Sequence, residues 1–485
     1  MYNRPFNRSL YFIALIFPLF IVSCGDDNNV VEKIDVNPSL TEYTTEQLVD
    51  LFAIGALENY YLWADEEGRE QLVENILNPN TCTKPIEEFK KALHKDDRWS
   101  MLTDDYKGLT ELSEGIETTD GMDLTPMKYS SNSENVLFLV DFVYPNSPAE
   151  EAGIKRGDMF IKFNGRQLTT QNYKQYYNNK KQFSLGVGTI DRHLNQIIDL
   201  DSTVTMTPIH MYEEPIHIKN VFEINGKKVG YLAYMSFTDD TEKLKELFKE
   251  FKDEGISELI LDLRYNGGGV VNTCVSLASM LAPIDVVNEE QVFTTNVYNK
   301  LVSQLFTSKT DTFRKEFLDA NPDIKKIYAI VGTNTASASE MLLIGLMPYT
   351  DIVLIGEKTH GKFCSGIIID ASYVFKKEYW EQYKTKLDNW GVYIMIGTFA
   401  DSKGKNPCQP NGLTPSVAID DDPFDRVPLG DVNEIMLHKA LSLAGMEFPE
   451  KADTRALTHP AFEVLPTERP SFAIMPDFIP QSDFH

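Results

Sequence analysis

The run Ile256 to Leu263 is nearly all apolar, and it leads at once into Asn266-Gly267-Gly268-Gly269 and a second apolar run, Val270 to Leu281. A strand without polar alternation is buried on both faces, as strands of parallel sheets covered by helices are. The preceding residues supply the rest of such a unit: Val229 to Tyr234 reads as a strand and Thr241 to Asp253 as a charged amphipathic helix. Strand, helix and buried strand together predict an α/β architecture, continued by apolar strands at Lys326 to Val331 and Asp351 to Ile355. The more polar stretch Lys300 to Asp323 reads as a helical excursion at its edge.

That unit cannot be the whole protein, because 485 residues are enough for two or three packed units. Residues 44 to 104 read as a helical region, with Leu48, Leu51, Ile54, Leu57 and Tyr61 at three-to-four spacing, and Trp63 and Trp99 read as packing residues. From residue 105 to 215 the pattern changes to short apolar runs. Val136 to Val143 reads as a strand, Asn146 to Ile154 as a turn leading into a very short helix that stops at glycine, Met159 to Phe163 as a strand, and Asn164-Gly165 as a tight turn. The segment "NSPAEEAGIKRGDMFIKFNGRQL" resembles a PDZ domain, which implies capture of an extended or carboxyl-terminal peptide by strand addition. The cluster Tyr173 to Lys181 reads as a solvated helical face.

The amino terminus sets the compartment. Arg4 and Arg8 precede the apolar run Leu10 to Val22, too short for a membrane span, and Ile21-Val22-Ser23-Cys24 resembles a bacterial lipoprotein signal. On this reading residues 1 to 23 are removed, Cys24 carries the lipid, residues 24 to 43 are a tether, and the protein sits in the outer membrane, on its periplasmic face or at the cell surface. The four other cysteines, Cys82, Cys274, Cys364 and Cys408, are widely spaced and allow three disulfide pairings. They form no CxxC and the histidines no HExxH, so neither a metal nor another cofactor is expected. The net charge of −26 would repel a phosphate backbone, so no nucleic-acid partner is expected.

Three loops carry residues suited to chemistry, each at a strand end. The glycines after Asp262 can turn backbone N–H groups into one small space, and with no GxxxxGK[ST] and no GxGxxG this fits an oxyanion hole better than a phosphate cradle. Gly332 to Glu340 crowds small residues into a strand-to-helix turn, where a serine at the helix N-terminus meets a dipole that favours negative charge. Gly356-Glu357-Lys358-Thr359-His360-Gly361-Lys362 offers two lysines and a histidine; a lysine acts as a base near neutrality only where burial lowers its pKa.

With "DLRYNGGG", "TASASE" and "GEKTHGK" set behind the PDZ-like stretch, the chain resembles the carboxyl-terminal processing, or tail-specific, protease family over roughly residues 40 to 420. The resemblance implies a multidomain α/β (α+β) protein with a crotonase/Clp-protease-like catalytic core at residues 216–435, an inserted PDZ-like domain and an N-terminal helical region. It implies a serine endopeptidase that cleaves unfolded or C-terminal-tail polypeptides, with Ser337 as nucleophile, Lys362 as general base 25 residues later, and the amides of Gly268 and Ala338 as oxyanion hole. Ser339 is the alternative nucleophile and His360 the alternative base. Family members orient the lysine with a glutamine four residues on or an aspartate eleven after the serine; here Gly366 and Pro348 stand there, leaving the orienter unidentified. Ser416 likewise replaces the acidic residue of the family's "GxxPD" strand, and residues 436 to 485 read as a tail without a family role. The competing reading is a catalytically weak or inactive peptide-binding lipoprotein. A glycan hydrolase would need a carboxylate pair, and no convincing pair is present.

Overall fold

The computed structural model describes residues 43–191, 196–306, 308–422, 426–448, 462–466 and 473–475. The signal run and Cys24 lie outside the described residues. Among those described, no helix is long and apolar enough to cross a membrane.

The apolar strands form a six-stranded sheet in the spatial order Ile216–Ile224, Lys227–Tyr234, Ile256–Asp262, Lys326–Val331, Asp351–Gly356 and Val417–Ala418. The first pair is antiparallel and the others are parallel. Helices Thr241–Glu254, Val271–Leu281 and Ala338–Leu346 bury their apolar residues with Leu259, Leu261, Ile327 and Ala329 on one face. Helix Ile435–Leu443 packs Met436, Leu437, Ala440 and Leu441 against Tyr231, Ile260 and Ile330 on the other. Burial on both faces accounts for the missing alternation in Ile256–Asp262.

A second sheet changes the expected architecture. Cys364–Asp370 pairs antiparallel with Gly391–Asp401, which also pairs antiparallel with Val292–Tyr298 and with Met101–Thr103. The expectation of a crotonase/Clp-protease-like core is thereby corrected. The parallel unit that the sequence suggested is built from strands up to Gly356 and the short Val417–Ala418; between them Cys364–Asp370 and Gly391–Asp401 pair antiparallel in the second sheet, so the chemical loops are divided between two sheets. The Lys300–Asp323 excursion is only partly helical, holding the short helix Val302–Leu305, the strand Thr310–Thr312 and the 3-10 turn Lys315–Ala320.

The N-terminal helix Thr45–Asn59 opens with a capping box, Thr44 accepting from the Gln47 amide while the Gln47 side chain accepts from the Thr44 amide. It packs with Pro85–Ala92 on the outer side of the second sheet, through Phe52, Phe89, Ile369 and Ile394. The PDZ-like region is a sheet in the order Met122–Lys128, Val136–Val143, Met159–Phe163, Phe183–Asp191, Gln196–Met206, with the two-residue strand Glu463–Val464 on its outer edge. Tyr173 and Tyr176 are not on a solvated helical face: Tyr173 opens a single 3-10 turn and Tyr176 caps it, both lie in the core of this sheet at 3 % and 8 % exposure, and the Tyr176 hydroxyl donates to Asp120.

Where the PDZ sheet meets the core, ionic side chains are buried together. Arg264 donates to Asp262 at 3.0 and 2.8 Å and, bidentately, to Glu434 at 2.7 and 2.8 Å. Arg156 donates to Asp421 at 2.8 Å and to the Asp141 carbonyl at 2.7 Å, while Arg426 pairs with the Asp141 carboxylate. Such charges tolerate burial because each is paired and hydrogen-bonded. Cys82, Cys274, Cys364 and Cys408 are all free and buried, so none of the three disulfide pairings forms.

Candidate active site

Ser337 stands between the strand Lys326–Val331 and the helix Ala338–Leu346, with φ 62° and ψ −115°. A serine held at positive φ is strained by about 1–3 kcal/mol, and such strain collects where surroundings over-determine a side chain's direction. The surroundings here are specific. Thr335 Oγ1 donates to the Leu263 carbonyl at 2.7 Å, the Ala336 amide to the Asn266 carbonyl at 3.1 Å, and Ser339 Oγ to the same carbonyl at 3.0 Å. The serine turn is thus laced to the glycine loop. Ser339, the alternative nucleophile, spends its hydroxyl on this lacing, whereas Ser337 Oγ is buried without a hydrogen-bond partner.

Glu340, one turn into the helix and fully buried, joins the serine turn to the lysine turn. Its Oε2 accepts the amides of Ser337 (3.0 Å) and Lys362 (2.8 Å); its Oε1 accepts the Gly361 amide (2.7 Å) and the Thr359 hydroxyl (2.5 Å). Burial lifts this carboxyl above its ordinary range, and the four donors pull it back. The sequence reading gave Glu340 no role, although Ser337-x-x-Glu340 has the spacing of a capping box and was a usable signal.

Lys362 precedes the strand Cys364–Asp370 and is completely buried. Its Nζ donates to the Tyr393 hydroxyl at 3.1 Å and lies 5.0 Å from the Tyr393 ring and 5.8 Å from the Trp99 ring. The rings favour a cation, but desolvation outweighs them and lowers the lysine pKa to about 8. Tyr393 therefore occupies the place left open for an orienter. No sequence signal could have found it, since it sits mid-strand in Gly391–Asp401, 31 residues after Lys362. Lys358 is exposed, as expected of a loop residue. The His360 ring accepts from Trp99 Nε1 at 3.5 Å and makes no hydrogen bond to Ser337 Oγ.

The two oxyanion candidates differ. Ala338 opens its helix, where backbone N–H groups have no intrahelical partner. The Gly268 amide is engaged by Asn266 Oδ1 at 2.9 Å, so it faces a side chain in this state. The glycine loop itself admits no side chain: Gly268 and Gly269 hold φ of 106° and 139°, and a methyl on Gly269 would collide with the Phe237 carbonyl. A cavity of about 1290 Å³ runs from this loop to the edge of the PDZ sheet, lined by Gly268, Asn334, His360, Leu124, Met127 and Ile474 among others. Away from the site, Asp50, Cys82 and Glu88 bring three potential metal-ligand atoms within 4.8 Å in the helical region, a grouping that sequence spacing did not suggest.

Comparison with known proteins agrees with this geometry. Residues 228–419 match the model of peptidase family S41 and residues 140–185 that of a PDZ domain. The chain is 27% identical over 304 residues to a "Probable CtpA-like serine protease" of Staphylococcus aureus (strain COL), covering 60% of this chain and 55% of that protein. It is 26% identical over 252 residues to the "Carboxyl-terminal-processing protease" of a Picosynechococcus species, covering 51% of this chain and 56% of that protein. The chain thus spans about half the length of the curated relatives it matches. A structure titled "Crystal structure of Putative S41 protease from Bacteroides fragilis NCTC 9343" superposes with a TM-score of 0.61 at 24% identity, covering 85% of this chain and 99% of the other. This match gives the fold, and it replaces the crotonase/Clp-protease expectation. On these matches residues 228–419 are similar to peptidase family S41 and residues 140–185 to a PDZ domain, and 304 residues of the chain are similar to the "CtpA-like" relative.

Proposed function

We propose that the chain is a serine endopeptidase that cleaves unfolded or C-terminal-tail polypeptides through Ser337 and Lys362. One observation carries the reading: an unpartnered, strained serine hydroxyl and a buried lysine with pKa near 8 are tied to each other through one carboxylate. Neutral Lys362 Nζ accepts the Ser337 proton, and Ser337 Oγ forms a bond to a peptide carbonyl carbon. The carbonyl oxygen takes the negative charge and is met by the Ala338 amide at the helix N-terminus. The Gly268 amide joins it once Asn266 Oδ1 lets go. The C–N bond then breaks as the lysinium returns its proton to the leaving amine, and water hydrolyses the ester to restore Ser337. The PDZ domain supports capture of an extended peptide by strand addition. The lipid anchor on Cys24 and the outer-membrane setting belong to the same proposal and rest on the residues Leu10 to Cys24.

The test is cleavage of a labelled unstructured protein by the chain from residue 25, beside Ser337→Ala and Lys362→Ala variants with unchanged circular dichroism. Loss of turnover in both supports the dyad. Equal turnover in either variant and the parent would sink it. Labelling with radioactive palmitate in a bacterial host, lost in Cys24→Ala, tests the anchor.

A further inference from the structure

We propose that two pieces of the chain's own C-terminal region, residues 462–466 and 473–475, are substrate mimics that occupy in cis both edges on which a peptide substrate would dock. The proposal deepens the peptidase reading and rests on it for the meaning of the cleft, though not for the docking itself.

The first contact is on the PDZ sheet. Glu463 and Val464 pair antiparallel with Lys128 and Met127 of its outermost long strand. The Leu465 amide donates to the Pro126 carbonyl at 2.8 Å, Glu463 pairs with Lys128 at 2.9 Å, and the Tyr173 hydroxyl donates to the Pro466 carbonyl at 3.1 Å. Leu465 packs against the PDZ core. This is the strand addition by which a PDZ module takes a peptide, performed by the same chain.

The second contact is in the catalytic cleft. Ala473 and Ile474 pair in parallel with Gly269 and Val270, and Ile474 pairs with Gly366 on its other side. The Met475 amide donates to the Gly366 carbonyl at 3.0 Å, and the Met475 sulfur accepts from Ser365 Oγ at 3.5 Å. The tail strand is therefore inserted between the glycine loop, beside the Gly268 donor, and the strand that begins two residues after Lys362. Ile474 is only 5 % exposed and belongs to the core cluster that also holds Ala338 and Phe363, and both Ser337 and Lys362 are fully buried.

Each pairing is short and weak alone. Tethering supplies an effective concentration of roughly millimolar, so the tail holds the cleft against dilute substrate yet yields to a peptide that docks better. A substrate that displaces both pieces is an extended chain with an apolar side chain at the place of Ile474.

The experiment uses the full chain from residue 25 in a Ser337→Ala background, so that docking is read without catalysis. The comparison is with the same protein carrying Leu465→Glu and Ile474→Glu. The expected results are slow hydrogen exchange at the Leu465 and Met475 amides in the first protein, fast exchange in the second, and about tenfold tighter binding of a labelled, extended apolar peptide to the second by fluorescence anisotropy. A synthetic peptide of residues 461–485 is expected to compete for that binding, and its Ile474→Glu form is not. Rapid exchange of both amides in the first protein, or unchanged peptide affinity in a folded second protein, overturns the proposal. So does removal of the tail from the Ser337-bearing chain by its own activity, read by mass, because the segment would then be a substrate and not an occupant. If docking holds but no form of the chain cleaves, the peptidase reading fails by itself.

Discussion

Glu340 Oε2 accepts the backbone N–H of Lys362 at 2.8 Å, from the same oxygen that accepts the Ser337 amide at 3.0 Å. A single buried carboxylate thus fixes the separation of the two turns that carry the chemistry. Hydrogen bonds from N–H groups to an ionised acceptor are stronger than neutral ones, which suits a joint between two otherwise independent loops.

Glu340→Gln tests this joint. The amide nitrogen would turn donors toward two of the four donors now facing the carboxylate, so the turns must separate. We expect kcat to fall by about 10- to 100-fold with KM nearly unchanged, since misplacing reacting groups by a fraction of an ångström costs rate and not affinity. A merely structural role would instead lower the melting temperature and leave kcat per folded molecule intact, so both are measured on the same preparation.

Lys362 predicts two pH effects of the same sign. Its neutral form takes the proton, so kcat/KM rises with pH and levels above about 8. Its contribution to stability follows from the lowered pKa. Between about 8 and the ordinary lysine value near 10.5 the folded chain has released a proton that the unfolded chain still holds, so stability gains with rising pH in that window, and the burial cost is fully present below it. Lys362→Met should therefore abolish turnover while raising stability at pH 7 by at most about 3 kcal/mol, read by urea unfolding. Tyr393→Phe removes the acceptor at 3.1 Å, so it should lower the plateau about tenfold and move the limb to lower pH, because the lysinium loses a partner. A limb unmoved in Tyr393→Phe would remove Tyr393 from the site.

The loops that carry Ser337, Lys362 and Gly268 were legible because each is a local pattern of glycine and small residues at the end of an apolar strand. The PDZ run was legible for the same reason, through Asn164-Gly165 and Lys155-Arg156-Gly157-Asp158. The rest depends on contacts between distant residues. Tyr393 reaches Lys362 from another strand, Tyr173 and Tyr176 turn inward although they sit in a lysine-rich cluster, and the strands Glu463–Val464 and Ala473–Ile474 are too short for any periodicity to register. The second sheet escaped notice because its strands alternate with loops and helices in the chain as the parallel ones do; only pairing direction separates them.

The glycine loop makes a stability prediction with an internal control. Gly269→Ala places a methyl against the Phe237 carbonyl at φ 139°, and backbone cannot yield as a side-chain end can. Gly226, at φ 77° in a turn with open space around it, meets nothing. We expect a loss of more than about 3 kcal/mol for Gly269→Ala and about 1 kcal/mol for Gly226→Ala by urea unfolding. Similar losses at both positions would mean that φ alone, and not the close approach to Phe237, demands glycine at 269.

The buried ions between the PDZ sheet and the core make the last prediction. Arg264 is 2 % exposed and satisfies Asp262 and Glu434, which are each 1 % exposed. Its removal leaves two carboxylates in a low-dielectric setting with their main cation gone, which costs far more than the pairs return when intact. Arg264→Met should destabilise the chain by about 3–5 kcal/mol at pH 7. The loss should shrink as pH falls, because Glu434, whose carboxyl is held below its usual range chiefly against desolvation by Arg264, can then take a proton and shed its buried charge. Adding Glu434→Gln should therefore recover part of the loss at pH 7, since it removes one stranded charge while keeping the shape. Additive losses in the double variant would mean that Arg264 stabilises the junction through packing over the Tyr265 ring, 6.0 Å away, and not through its charge.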